Sequence, residues 1–146
     1  MRATMACAAV STLLLAGCSG AVEAEASPST MAVGECRDSS TIPVGQRDDY
    51  ASLPVVDCAD AHAVEVFHVV PLEGEDYPTD VAVQAQNLCY AAFEDYVGIP
   101  YDESAYFYTA TYPAPAAWGS GGEQITCLIV GDEGEVLTGS AEGSER

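Results

Sequence analysis

Pro78-Thr79-Asp80-Val81-Ala82-Val83-Gln84-Ala85-Gln86-Asn87-Leu88-Cys89-Tyr90-Ala91-Ala92-Phe93-Glu94-Asp95-Tyr96-Val97-Gly98 decides the architecture. Val81, Ala85, Leu88, Cys89, Ala92, Phe93 and Tyr96 recur at the helical period, which predicts a helix with one apolar face. Thr79 or Asp80 stands where a cap belongs, Gly98 where a helix stops, and Pro100 where it cannot resume. A helix with a single apolar face needs a second layer to bury it.

The rest of the chain supplies strands for that layer. Over 63–72, valines alternate at Val64, Val66 and Val70, the period of a strand that Pro71 ends. On the same alternation His68 shares a face with Val64 and Val66. The aromatic and β-branched stretches 105–112 and 124–130 read as two more strands, and 136–138 as a short last one. Between them, 113–122 is turn and loop chemistry carrying Trp118. One long helix among short strands predicts an α+β fold, the helix packed on a small antiparallel sheet.

At the other end, Leu15-Ala16-Gly17-Cys18 closes an apolar run that follows a single cation, Arg2. That is the layout of a secretory signal, too short to span a bilayer, and the last four residues look like a bacterial lipobox. The expectation is cleavage before Cys18, a diacylglyceryl group on its thiol, and residence on the outer face of the cell membrane. Two or three acyl chains hold a protein there at about 0.8 kcal/mol per buried CH₂. The chain therefore divides into a signal peptide at 1–17, a lipid anchor and flexible tether at 18–32, a folded domain at 33–140 and a polar tail at 141–146.

Of the six cysteines, Cys7 leaves with the signal and Cys18 takes the lipid, so Cys36, Cys58, Cys89 and Cys127 remain. An even number in an oxidising compartment predicts two disulfides. Cys89 lies on the apolar helix face, and Cys127 shares a strand face with Ile125 and Ile129, so these two meet in one interface. Cys36 and Cys58 pair by elimination. The balance of 23 acidic residues against four basic ones gives a formal charge of −19. Such a surface repels nucleic acid, which is excluded as a partner.

Val33-Gly34-Glu35-Cys36, then Cys58-Ala59-Asp60-Ala61-His62-Ala63-Val64-Glu65-Val66, Cys89 to Gly98, Gln124-Ile125-Thr126-Cys127-Leu128 and Leu137-Thr138-Gly139-Ser140 together resemble the actinobacterial septum formation family. The resemblance covers about residues 33 to 140; Ala61 departs from it, standing where a proline often precedes the histidine. It implies an envelope domain, often tethered by a lipid or a membrane segment and loosely linked to cell division, without catalytic residues.

Cys36, Cys58, His62 and His68 can be written as a zinc site, but exported cysteines so placed form a bridge more readily than a metal centre. His62 instead reads as bonded to a neighbouring backbone group where the strand begins. Asp102-Glu103 and Asp132-Glu133 offer oxygen ligands or an acid and base, yet they lack the spacing of a calcium loop and read as solvated charges. Gly119-Ser120-Gly121-Gly122 lacks the lysine of a phosphate loop. Tyr106, Tyr108 and Trp118 form the candidate contact surface. The reading is a non-enzymatic, lipid-anchored binding domain that uses no metal or cofactor and meets an envelope or division protein; the alternative is a small envelope hydrolase using carboxylates.

Overall fold

The computed structural model describes residues 30–38 and 50–146. The expected signal peptide, Cys18 and nearly all of the expected tether lie outside the described residues. Five strands, β1 (Cys36–Arg37), β2 (Val55–Val56), β3 (Val64–Pro71), β4 (Phe107–Thr111) and β5 (Gln124–Val130), form one sheet in the order β2-β1-β3-β5-β4. Every pairing is antiparallel. Among the described residues a single α-helix, α1 (Val81–Val97), covers one face, so the fold is α+β. Among the described residues no helix is long and apolar enough to cross a membrane.

The helix buries Val81, Ala85, Cys89, Phe93 and Val97, a row at spacing four. They meet Phe67, Ile125, Cys127 and Ile129 from the sheet. Asp80 occupies the cap position but gives no side-chain bond to the helix backbone; its carboxylate accepts from Gln84 Nε2 at 2.8 Å instead. At the other end Gly98 adopts φ 94°, and its N–H closes the last turn on the Glu94 carbonyl at 2.9 Å. That left-handed conformation favours glycine.

β3 departs from simple alternation. Its register against β5 slips between Val66, opposite Leu128, and His68, opposite Cys127, leaving Phe67 as an extra residue. A bulge of this kind re-phases every residue beyond it. Val64 and Val66 therefore face away from the helix, while Phe67 and Val70 face toward it. His68, expected on the face of Val64 and Val66, stands opposite Cys127 on the other face.

The face away from the helix is also covered. Met31, Tyr50 and Leu53 are buried against Val64, Val66 and Leu128, forming a second, smaller core. Arg37 fixes this layer, donating from Nη1 to the Leu53 carbonyl at 2.9 Å while Nη2 pairs with Glu35. Met31 falls in the segment expected to be tether, so the folded part starts before residue 33. It also runs past residue 140: Ala141 is fully buried, and the N–H groups of Gly143 and Glu145 donate to the carbonyls of Tyr96 and Val97. The expected polar tail closes the C-terminal end of α1, because its backbone donors satisfy carbonyls a helix end leaves open. The expected last strand reduces to one bridge between His62 and Leu137.

Both disulfides link the cysteines expected to pair, Cys36 to Cys58 and Cys89 to Cys127. The second ties α1 to β5 inside the main core, where both cysteines are wholly buried. The first ties β1 to the turn before β3; its Cys36 is wholly buried and its Cys58 half-exposed.

Candidate functional site

The most concentrated polar chemistry lies under the N-terminal half of β3. Glu65 is fully buried, a place a carboxylate occupies only when its oxygens are satisfied. The Tyr96 hydroxyl donates to Oε1 at 2.7 Å, Ser140 donates to the same oxygen, and the Ala141 N–H donates to Oε2 at 2.7 Å. One carboxylate thus joins the helix, the central strand and the C-terminal segment. Burial, and then the Glu65 hydrogen bond and charge, push the Tyr96 hydroxyl well above its ordinary ionisation range.

His62 is also fully buried. Its Nδ1 lies 2.8 Å from the Asp60 carbonyl, which can only accept, so Nδ1 carries the proton. This is the backbone bond expected from the sequence. Nε2 has no partner among the described residues. Cys36, His62 and Glu65 each bring one potential ligand atom, all within 4.8 Å of one another. The donors do not fit a metal, because the sulfur is bonded to Cys58 and both carboxylate oxygens already accept hydrogen bonds. Sequence pattern assigns Glu65 no role, although a lone acid between Val64 and Val66 in an apolar strand is the available signal.

The expected contact surface divides. Tyr106 is buried, with the Arg146 guanidinium 5.7 Å from its ring centre. Tyr108 is half-buried, edge-on to Tyr101 at 4.9 Å and also packed against Phe67 and Phe93. Burial first, then Tyr101 and Tyr90, raise its ionisation. Both tyrosines belong to the core side of the sheet because they pack with α1 and its flanking turn, and they do not form the expected surface. Trp118 sits elsewhere, on the segment after a 3-10 turn at Pro115–Ala117. Its ring stands edge-on to Tyr77 at 5.6 Å, and Nε1 donates to the Glu75 carbonyl at 3.2 Å. The rings that do face solvent are Tyr90, Phe107 and Tyr112. Charge gives no sign of them, and strand period puts Phe107 and Tyr108 on opposite faces without saying which face is covered.

A cleft of about 330 Å³ opens at the end of β4. Thr111 and Tyr112 form one wall, Met31 and Tyr50 another, and the loop at Gly121, Gly122 and Glu123 a third. Glu123 accepts from the Gly121 N–H at 2.8 Å, and this bond holds its carboxyl below the usual range. Asp102 and Glu103 are exposed on a 3-10 turn after α1, and Asp132 is exposed on a turn after β5.

A family model described as septum formation matches residues 34–145. Comparison with curated proteins and comparison with solved structures each find no match.

Proposed function

Since the chain belongs to the septum formation family, with a role in cell division, we propose that it is a lipid-anchored domain on the outer face of the cell membrane that acts by binding. Cys18 carries the anchor, and the partner is an envelope or division protein held near the membrane. The observation supporting a binding role is that the reactive side chains of the conspicuous motifs are committed internally. Four cysteines form two bridges, and Glu65 accepts three hydrogen bonds that hold the fold together. The open features are instead surface for contact: the cleft beside Tyr112 and the solvent-facing rings.

Complementation of a deletion strain separates this reading from the carboxylate hydrolase. The double variant Asp102→Asn/Glu103→Gln should complement fully, and crosslinking in intact cells should recover a division or envelope protein with the lipidated chain. Cys18→Ser should abolish labelling by a fatty-acid analogue and lower that recovery. Loss of function in the carboxylate variant, with folding intact, would move the assignment to the hydrolase.

A further inference from the structure

The sheet has two edges, and they are built differently. β2 is two residues long, preceded by Pro54 and followed by Asp57, both of which discourage another strand from adding. β4 is the opposite edge and, among the described residues, pairs only with β5. Its sequence, Phe107-Tyr108-Thr109-Ala110-Thr111, contains no proline and no charge. Among the described residues nothing hydrogen-bonds to the outer backbone row of this strand. Soluble proteins usually blunt such an edge.

The side chains bordering the edge suit an added strand. Opposite residues of an antiparallel pair share a face, so Tyr108 and Ala110, opposite Ile129 and Cys127, turn toward α1. Phe107, Thr109 and Thr111 turn to the other face. On the helix side Tyr101 packs on Tyr108, and Tyr90 follows it edge-on at 6.0 Å with about half its surface exposed. On the other side Phe107 is 44% exposed; Tyr112, just past the strand end, is 40% exposed beside the cleft. An open backbone edge is thus bordered by aromatic surface on both faces, where alternate side chains of an extended segment would rest.

Charge specifies the occupant further. Asp102 and Glu103 precede β4, and Asp132 lies just beyond Val130, the residue opposite Phe107. Glu123 stands at the other end, next to the cleft. With 23 acids against four basic residues in the chain, a second copy is repelled and a basic strand is attracted.

We propose that β4 is a docking edge for an extended peptide segment of a partner protein, which adds as a sixth strand. The segment carries β-branched or aromatic residues at alternate positions and lysine or arginine at its ends. This assignment rests on the reading of the domain as a binding module and specifies how that module binds.

The test is selection of random nine-residue peptides displayed on their own messenger RNA against the immobilised full chain, with hydrogen exchange to locate the binders. Selected peptides should be rich in alternating β-branched residues and in lysine or arginine, poor in proline, and should slow exchange of outward-facing amides within Phe107–Thr111. Phe107→Lys, with its fold checked by circular dichroism, should weaken them by about fivefold, the upper range of one cross-strand contact. Binders that protect the cleft around Gly121 to Gln124, or another surface, and leave β4 unchanged would overturn strand addition and keep the binding role. Failure to enrich any binder would overturn both. A dimer protecting β4 without added peptide would assign the edge to a second copy and refute the proposed occupant.

Discussion

Glu65→Gln is the substitution that best isolates the buried polar centre, since it preserves shape and removes charge. The carboxylate accepts from Tyr96 and Ser140 on one oxygen and from the Ala141 N–H on the other. An amide has one oxygen. If that oxygen stays with Tyr96 and Ser140, the new NH₂ confronts the Ala141 N–H, donor against donor, and a buried backbone group loses its partner at about 1–3 kcal/mol. The two remaining bonds lose their charge assistance, roughly 1 kcal/mol each. Relief of the buried charge's desolvation offsets part of this, so the expected loss is about 2–4 kcal/mol, a large fraction of a small domain's stability. Urea unfolding followed by circular dichroism measures it, and hydrogen exchange should accelerate first at Ala141 and Gly143. A loss below about 0.5 kcal/mol, or uniform acceleration with no preference for the C-terminal segment, would refute the account of Glu65 as the tie between β3, α1 and the chain end.

The two disulfides should open in order under graded reductant, Cys36–Cys58 before Cys89–Cys127, because Cys58 offers the only half-exposed sulfur of the four; alkylation and mass mapping would show it. Replacing Cys89 and Cys127 together by alanine should cost about 4 kcal/mol, the chain-entropy value for a separation of 38 residues, readable as a shift in the urea midpoint. Tyr96 favours its neutral form in the fold, so its contribution is complete below the ordinary tyrosine pKa of about 10 and is lost as pH rises toward the higher folded value. Stability should therefore fall steeply above pH ~10, and Tyr96→Phe should flatten that fall while costing about 2 kcal/mol at neutral pH. Trp118→Ala should leave the main core intact, since its ring contacts Tyr77 and its N–H a carbonyl at Glu75, and local exchange in the segments around Tyr77 and Pro115 should rise without global unfolding.

Much of this architecture can be read from periodicity. The helix face, the antiparallel layer beneath it and the meeting of Cys89 with Cys127 all follow from residues repeating at 3.6 and 2. What periodicity misses has a physical cause in each case. The bulge at Phe67 carries no glycine or proline to mark it, and Val70 continues the valine pattern after the phase has changed. The second core draws Met31, Tyr50 and Leu53 from segments without regular repeats, where isolated apolar residues look like loop. The C-terminal residues dock through backbone N–H groups, which every sequence possesses and composition does not display. Glu65 was visible as an acid inside an apolar strand, but its three donors lie 31 to 76 positions away.

The attachment of Ala141 to Glu65 sets a schedule for the maturing chain. Glu65 precedes the donors it must satisfy by 31 to 76 positions, and β3 waits equally for β5, its longest neighbour in the sheet. Cys36 and Cys58 can meet early across 22 positions, but the carboxylate has no dry place to go until the last few residues arrive. The domain is therefore finished from its end: a chain stopped short of Ala141 would hold the makings of both layers and lack the stitch that lets the central strand close.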